Sequence, residues 1–330
     1  MIIYKPQSLL VKRKYVFFDI FYTNNCIVLI SPVYDYPMDE NKNIIITFNN
    51  IPICISDLYC SRFGNQSSLI IKYNLTTQLS IINITISYKN VNYMFTLKND
   101  QSIGNGNGNG KQQSTAITTL FKDDFNLIHV FYNYYLKQGI KHFYLYYNGK
   151  LTDLILKEFC NYNITLIEWD FWYWNDSHSF KHHAQMGQLQ HALYMFGKPY
   201  HSHMAFCDFD EYLNINNIIL QDYIIKNPKN YYYFANHWAK TSCNPTIYKD
   251  PLTILYSEMS DPLFKKCKMI YNTNYVLLVG VHFPLITSSG DVNQFFKEHI
   301  LNPDLKSFHF YNWTKTDRVI DLQSPIQYVL

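Results

Sequence analysis

The sequence predicts an α/β fold: a mostly parallel sheet flanked by helices, preceded by a small all-β N-terminal domain. Three observations lead to this prediction. Short segments rich in β-branched and aromatic residues fill the N-terminal third. A glycine and asparagine repeat then interrupts the chain. After it, apolar runs of strand type alternate with stretches of helical period, which is typical of parallel sheets with right-handed crossovers.

The composition favours a globular protein with a large core and without an extended charged surface. The chain has 330 residues, of which 48% are hydrophobic and 16% charged, with a formal net charge of +3. This weak charge argues against a nucleic-acid partner. Residues Met1–Pro6 do not resemble a signal peptide, and no apolar run reaches the length of a membrane span. We therefore expect a cytoplasmic protein.

Residues 1–103 are predicted to form the all-β domain, with turn-forming residues between its strands. The predicted strands are Tyr15–Phe21, Cys26–Ile30, Asn43–Phe48, Ser68–Tyr73, Leu79–Tyr88 and Tyr93–Leu97. Residues 104–113 contain the repeat Gly104–Gly110, which has no apolar side chain to bury and is predicted to be a flexible linker.

Residues 114–330 are predicted to form the α/β domain. Thr115–Phe121 is its first strand, and an amphipathic helix follows over Phe125–Gln138, with Gly139 placed to end it. The next elements are a strand over Lys141–Tyr147, a helix over Leu151–Cys160, a strand over Ile164–Trp169, a helix over Ser179–Phe196 ended by Gly197, and a strand over His203–Cys207. Ligands of such sheets bind beyond the carboxyl ends of the strands, where the last strand runs into Asp208.

The tripeptide Asp208-Phe209-Asp210 is a candidate metal site. In an extended chain its two carboxylates point the same way, and Phe209 faces the core. Paired carboxylates suit Mn²⁺ or Mg²⁺, which commonly completes its coordination with water and ligand phosphates. A bare Asp-x-Asp is a weak signal, but its position at a strand end strengthens the metal prediction.

The stretch Asn126–Asn214 resembles family 92 glycosyltransferases and giant-virus proteins related to them. The features that carry the resemblance are Tyr134–Gly139, His142–Asn148, Trp169, Gln185 and the continuation of the acidic tripeptide as Glu211-Tyr212. Further along, the resemblance is weaker and covers Lys265–Ile270, Val281-His282 and His309–Tyr311. The chain departs from the family pattern at Ile128-His129 and Tyr147, so the contacts to the donor base stay open.

The resemblance implies a GT-A-like fold and an inverting, metal-dependent transfer. The donor would be a nucleotide sugar, a UDP-hexose for example, and the acceptor a glycan or glycoprotein. The cofactor would be Mn²⁺ or Mg²⁺. The expected metal ligands are Asp208, Asp210 and His282, and the expected donor-binding residues are Lys122, Asp124, Asn148, Gln185, Gln188, His282 and Lys268.

Each of these residues also has a purely structural interpretation. Asp123 and Asp124 are common helix-capping residues. Gln185, Gln188 and His191 share one helix face, which lines the donor pocket or faces solvent. His282 is either a ligand at a strand end or a structural histidine, and lysine clusters such as that around Lys268 usually face solvent.

Inverting transfer needs a carboxylate that deprotonates the acceptor hydroxyl on the far side of the sugar. The candidates are Glu211, Glu258, Asp261 and Asp291. Asp261 is favoured because acceptor loops are expected after the segment Asn236–Trp238, and Glu211 either serves the reaction or braces the turn. Trp238 is a candidate for stacking on a sugar.

Two other functions are compatible with the sequence. One is a non-catalytic structural or carbohydrate-binding protein on a GT-A-like scaffold, because fold alone does not establish turnover. The other is a nucleotidyltransferase, which also uses paired acids and a metal. The two activities differ in whether nucleoside diphosphate or pyrophosphate is released.

Overall fold

A computed structural model describes residues 1–11, 14–32, 44–63, 66–76, 79–99, 112–173, 183–215, 218–240, 255–256, 258–259, 262–289, 304–310, 313 and 328–329. The strands are β1 (Ile2–Tyr4), β2 (Leu9–Val11), β3 (Lys14–Phe17), β4 (Asp19–Thr23), β5 (Cys26–Ser31), β6 (Ile45–Phe48), β7 (Ile51–Pro52), β8 (Asp57–Phe63), β9 (Gln66–Asn74), β10 (Ile81–Tyr88), β11 (Val91–Lys98), β12 (Gln112–Phe121), β13 (His142–Tyr147), β14 (Thr165–Glu168), β15 (His201–Phe206), β16 (Glu211–Ile215), β17 (Tyr231–Lys240), β18 (Leu255–Tyr256), β19 (Glu258–Met259), β20 (Leu263–Asn272), β21 (Val276–Val279), β22 (Pro284–Thr287), β23 (Leu305–Phe310) and β24 (Tyr328–Val329). The helices are α1 (Ile128–Lys137), α2 (Asp153–Phe159), α3 (His183–His191) and α4 (Leu220–Lys226).

A ten-stranded sheet forms the centre of the molecule. Its order is β1-β14-β13-β12-β15-β20-β17-β23-β16, with β19 paired to β17. The pairings from β1 to β15 are parallel, as predicted for the alternating part of the sequence. Beyond β15 only β17 and β23 are parallel, and the other pairings are antiparallel. The sheet is therefore mixed, and the prediction of a mostly parallel sheet holds only for its first half.

The helix before the second strand of the α/β part agrees with its prediction. A 3₁₀ turn over Phe125–Leu127 leads into α1, and Gly139 follows with φ +79°. Glycine adopts this left-handed conformation without the strain that a side chain would cause. The pattern of apolar residues therefore located the helix and its end correctly.

The helix after β14 differs from its prediction, because Gly197 does not end it. After α3 the chain continues as a π-helix over Ala192–Gly197 and a last turn over Lys198–Tyr200. Gly197 has right-handed helical angles, and a Cβ added there would lie 3.1 Å from Thr273 Cγ2. Close packing, not chain termination, explains this glycine. The predicted start of the helix lies outside the described residues.

The N-terminal region contains two four-stranded sheets, β4-β5-β9-β8 and β11-β10-β6-β7, with a shared apolar core between them. This agrees with the predicted all-β region. Its first strand, however, pairs in parallel with β14 of the central sheet. Most of the predicted linker lies outside the described residues, and its last two positions, 112 and 113, begin β12.

The N-terminal region and the central sheet share a second core on one face of that sheet. Phe18 packs 5.7 Å from Trp169, measured between ring centroids. Gly187 of α3 lies under the same ring, where an added Cβ would approach Phe18 Cδ2 to 2.4 Å. The opposite face carries a third core, formed with α1, α2 and α4. Both faces of the sheet are thus covered, and ligands have access at the ends of the strands.

Candidate functional site

The acidic motif occupies the turn between β15 and β16, at the carboxyl end of the parallel strands. Phe209 is fully buried, with its ring centroid 4.9 Å from Phe121 and 5.0 Å from Phe131. This confirms the expectation that Phe209 faces the core. The aromatic anchor fixes the turn, and Asp208 keeps 34% of its side chain exposed.

Glu211 closes this turn. Its Oε2 accepts a hydrogen bond from Asp208 N at 2.8 Å, and its own N–H donates to Asp208 O at 3.0 Å. The carboxylate also lies 2.5 Å from Lys268 Nζ and 3.3 Å from His309 Nδ1. Because both oxygens are engaged, Glu211 braces the turn in this structure.

Lys268 lies between the acids as a buried cation. Its side chain is 2% exposed, and its Nζ is 3.4 Å from Asp208 Oδ2. Burial disfavours the ammonium charge, but Asp208 and Glu211 outweigh burial and raise the pKa of Lys268. The lysine stays charged and holds the two carboxylates together.

His309 is the second cationic partner of the motif. It lies opposite Glu211 in the antiparallel pairing of β16 with β23, and its Nε2 is 3.3 Å from Asp210 Oδ2. Burial opposes protonation, whereas Asp210 and Glu211 favour it, and the net effect raises the pKa of His309. The late His-aromatic element of the sequence thus contributes directly to the site.

Asp124 is the fourth carboxyl group of this cluster. Burial and, after it, the charge of Asp210 raise the pKa of Asp124 to about 6. Burial also raises the pKa of Asp208, and Glu211 and Asp210 add to the shift. Four acids therefore face two cationic side chains, and this surplus of negative charge suits an added cation.

The tyrosine-rich end of α1 holds the strand that follows the motif. Tyr135 OH donates to Glu211 O at 2.9 Å and accepts from Leu213 N at 3.1 Å, while Tyr134 OH donates to Leu213 O at 2.8 Å. Tyr212 packs against the same helix, with its ring stacked on Tyr135 at 6.2 Å. These contacts explain why the helix end and the acidic motif occur together in the sequence.

Three predicted donor-binding residues at the neighbouring strand ends have structural partners. Asn148 Nδ2 donates to Trp169 O at 2.9 Å and Phe171 O at 2.8 Å, which joins the ends of β13 and β14. Lys122 is exposed, and its N–H donates to Asp124 Oδ1 at 3.3 Å. Asp124 is the N-cap residue of the 3₁₀ turn that follows, as its structural interpretation predicts, but its side chain makes no cap hydrogen bond there.

The polar face of α3 is buried, which rules out the solvated interpretation. Gln185 is 8% exposed and Gln188 is fully buried, with its Nε2 donating to Thr118 Oγ1 at 2.6 Å. Gln188 Oε1 has no hydrogen-bond partner among the described residues. His191 does not line this site, because its Nε2 bonds to Asp19 Oδ2 at 2.7 Å in the N-terminal region.

His282 is held as a neutral imidazole beside the cluster. Its Nδ1 lies 3.0 Å from Cys267 O, and because a carbonyl only accepts, that nitrogen carries the proton. Burial and the nearby Lys268 lower the pKa of His282 to about 4. Among the described residues, no three His, Cys, Asp or Glu side chains are grouped as metal ligands. The expected set of Asp208, Asp210 and His282 is thus not assembled as a metal centre.

A comparison with models of protein families identifies the family of the chain. The model of glycosyltransferase family 92 matches residues 111–327, which is more than half of the chain. The chain belongs to glycosyltransferase family 92. A comparison with curated proteins found no significant match. The resemblance inferred from the sequence is confirmed, and family 92 membership supports a glycosyltransferase that acts on a sugar donor and an acceptor.

The family 92 match covers the whole acidic cluster, including residues that sequence reasoning did not select. His309 was recognised only as part of a motif, because its pairing with Glu211 is visible only in the folded sheet. Tyr173 was not selected at all. Burial and the charge of Asp208 raise the pKa of Tyr173 to about 12, so it lies near the motif. No feature of the sequence around Tyr173 indicates this position.

Three of the four candidate general bases have no described side chain, so the structure does not test them. Asp261 and Asp291 lie beyond the described residues, and Glu258 falls in the short strand β19, whose side chains are not described.

Within the described residues, no helix combines the length and apolar character needed to cross a bilayer.

Proposed function

We propose that the chain is an inverting hexosyltransferase that uses a nucleotide-sugar donor, such as a UDP-sugar, and Mn²⁺ or Mg²⁺. The acceptor is a hydroxyl group of a glycan or glycoprotein. The observation that carries the proposal is the acidic cluster at the carboxyl end of the parallel strands, in a chain of family 92. Ligands of parallel sheets bind at this edge. A GT-A-like arrangement of the sheet belongs to the same proposal.

The donor atoms of the cluster fit a hard divalent cation. Carboxylate oxygens are the preferred ligands of Mn²⁺ and Mg²⁺. Asp208 is the partly exposed acid, and Asp210 lies two residues away with its side chain 5% exposed. Because a third ligand is not grouped with them among the described residues, water and the donor diphosphate would complete the coordination. When bound, the ion would neutralise charge on the departing diphosphate.

Side chains of the chain itself would prepare the site for transfer. Lys268 and His309 hold the acids of the motif in place through their ion pairs. Gln188 Oε1 accepts no hydrogen bond from the described residues, and the side chain lies against Thr118 of β12. Asn148 fixes the loops that border it. Gln188 would contact the donor, and Asn148 would act by positioning.

The reaction exchanges one bond for another at the anomeric carbon. The bond from that carbon to the diphosphate oxygen breaks, and the acceptor oxygen forms a new bond from the opposite side. The acceptor proton passes to a carboxylate, for which we propose Asp261. Glu211 is not the proposed base, because its oxygens are engaged with Asp208 N, Lys268 and His309.

A thermal-shift screen tests donor binding. UDP-, GDP- and dTDP-sugars are added with and without Mn²⁺ to the wild-type chain, to Asp208→Asn and to the control Asp57→Asn. Asp57 pairs with Lys72 on the N-terminal region and lies outside the site. We expect one donor class to raise the melting temperature of wild type and control with the metal, and a smaller shift in Asp208→Asn. Absence of any shift in the wild type would contradict the proposal and favour a non-catalytic protein.

A further inference from the structure

A buried polar pair without partners lies on two neighbouring strands of the central sheet. Asn236 of β17 and Ser307 of β23 are directly opposite each other, and they are 1% and 0% exposed. Neither atom of the Asn236 amide group nor the Ser307 hydroxyl has a hydrogen-bond partner among the described residues. Buried polar groups in folded proteins are rarely unpaired, because the loss of hydration is unfavourable.

The pairing of β17 with β20 changes register just before Asn236, between Phe234 and Asn236. Before this change, Tyr232 and Phe234 belong to the core formed with α1, α2 and α4, and after it Ala239 belongs to that core. The alternation of side chains has therefore shifted by one residue, which places Asn236 and Trp238 on the opposite face.

The same face of β23 carries Ser307 and His309. Phe308 and Phe310 alternate with them along the strand. The ring of Trp238 is 4.3 Å from the ring of His309, and His309 contacts Asp210 at 3.3 Å. Asn236 and Ser307 are thus one side-chain repeat, about 7 Å along the strands, from the acidic cluster.

We propose that Asn236 and Ser307 form a subsite for a pyranose sugar that presents two neighbouring hydroxyl groups. An amide offers an acceptor and a donor in one plane, and a serine hydroxyl does both, which matches a vicinal diol. Neither Asn236 nor Ser307 is charged, so the subsite suits a neutral sugar rather than a phosphate.

Asn236 and Ser307 are as deeply buried as two of the acids of the motif, Asp210 and Glu211, which are 3% and 2% exposed. This inference rests on the proposed function, because it places a sugar next to the acidic cluster. The sugar belongs either to the donor or to the acceptor, and its chemistry is the same in both cases.

The test compares variants that remove the polar atoms and preserve the volume. Asn236→Leu removes both amide atoms, Ser307→Ala removes the hydroxyl, and Thr115→Val is the matched control. The Thr115 hydroxyl is also buried and has no partner in the described part of the chain, but it lies near the amino end of β12, away from the acidic cluster. Removal of unpaired atoms does not destabilise a core, so unfolding curves of the variants should resemble the wild type.

Binding is measured by calorimetry in two series. The first compares each nucleotide sugar with its nucleoside diphosphate, in the presence of Mn²⁺. The second titrates methyl glycosides into the complex with nucleoside diphosphate. We expect Asn236→Leu to weaken binding in one series by roughly tenfold or more, as for the loss of two ordinary hydrogen bonds, and Ser307→Ala to weaken it less. The affinity for nucleoside diphosphate and all affinities of Thr115→Val should not change.

The two series distinguish the sources of the sugar. A loss in the first series assigns the subsite to the donor sugar, and a loss in the second alone assigns it to the acceptor. Wild-type affinities in both variants and both series would overturn the subsite and leave the proposed function intact. If the wild-type chain bound neither nucleotide sugars nor glycosides, the proposed function would fail together with the subsite.

Discussion

Lys268 is the residue on which the geometry of the acidic cluster depends most. Its Nζ pairs with Asp208 and Glu211 in a site where its side chain is 2% exposed. We expect Lys268→Met to lower the free energy of unfolding by about 3–5 kcal/mol, because it removes the ammonium partner of the buried Glu211 carboxylate. Urea denaturation at neutral pH measures the loss.

Two variants separate this effect from general damage. Lys72→Met removes the partner of Asp57 from a pair whose side chains are 22% and 35% exposed. Lys72→Met should lower the free energy of unfolding by about 0–1 kcal/mol, as is usual for solvated ion pairs. Adding Glu211→Gln to Lys268→Met should restore much of the stability, since the unpaired charge is removed. A double variant as unstable as the single one would show that packing, not charge, is the cause.

The raised pKa of Asp124 makes the stability of the folded chain depend on pH. Its pKa of about 6 lies above the usual value of 3.8, mainly because of burial. The folded chain therefore keeps a proton that the unfolded chain loses, and the free energy of unfolding falls as the pH rises from about 4 to 6. Asp124→Asn should be more stable than wild type by about 1–2 kcal/mol above pH 6.

The same comparison at about pH 3, below both pKa values, provides the control for Asp124→Asn. Both folded and unfolded wild-type chains then hold the proton, so the stability gain should disappear. Denaturation curves at about pH 3 and pH 7.5 distinguish the two regimes. An equal gain at both values would indicate that the asparagine acts through hydrogen bonding and not through charge.

The positions of functional residues were predicted well where these residues are neighbours in the sequence. Asp208, Phe209 and Asp210 occupy the strand end that the pattern indicated. Tyr173 and the pairing of His309 with Glu211 were not predicted, because they depend on contacts between distant parts of the chain. The interpretation of Glu211 as a brace required the hydrogen bond to Asp208 N, which no spacing reveals.

At the scale of elements, the end of α1 holds the strand after the motif through Tyr135. Its hydroxyl donates to Glu211 O and accepts from Leu213 N, two buried backbone groups. We expect Tyr135→Phe to lower the free energy of unfolding by about 1–3 kcal/mol, because these groups lose their partner. Thermal or urea unfolding measures the change.

Tyr132 on the same helix is the matched control. Its ring packs 4.8 Å from Phe143 and 5.0 Å from Tyr162, and Tyr132 is only partly buried. Tyr132→Phe keeps these ring contacts and should change stability by less than about 0.5 kcal/mol. Equal losses in the two variants would contradict a specific role of the Tyr135 hydroxyl.

Elements with strong local patterns were predicted, and those set by packing were not. The helix α1 and the parallel strands have clear apolar periodicity, and α2 is preceded by the N-cap Thr152, whose Oγ1 accepts from Ile155 N at 3.4 Å. Gly197 was wrongly predicted to end the helix. Glycine also occurs where two segments pack closely, and Gly197 packs closely against Thr273. The antiparallel strands after β16 depend on long-range pairing, which short β-rich segments do not specify.

At the scale of the whole molecule, a buried hydrogen-bond network joins the N-terminal region to the central sheet. Asp19 Oδ2 accepts from Tyr4 OH at 2.6 Å and from His191 Nε2 at 2.7 Å, and Asp19 Oδ1 accepts from Gln7 N at 2.7 Å. His191 Nδ1 bonds to Tyr146 OH at 2.7 Å. The sequence predicted two regions but not this connection, because its members are far apart in the chain.

Asp19→Ala should therefore destabilise both regions together. It leaves several buried donors unpaired, and we expect a loss of about 3–5 kcal/mol. Fluorescence and far-ultraviolet circular dichroism, which report on different parts of the chain, should show one coincident transition. Asp57→Ala, at a partly exposed pair, is the control. Two separated transitions in the wild type would show that the regions fold independently.

The measurement that tests the central claim most directly is donor turnover at the acidic motif. Wild type, Asp208→Asn and Asp57→Asn are incubated with the donor selected by binding, with Mn²⁺, and the released products are quantified. The proposed function predicts nucleoside diphosphate from wild type and Asp57→Asn, and a loss of at least about 100-fold in Asp208→Asn, the usual effect of removing a main electrostatic contribution. Undiminished release by Asp208→Asn, or release of pyrophosphate instead of nucleoside diphosphate, would contradict it.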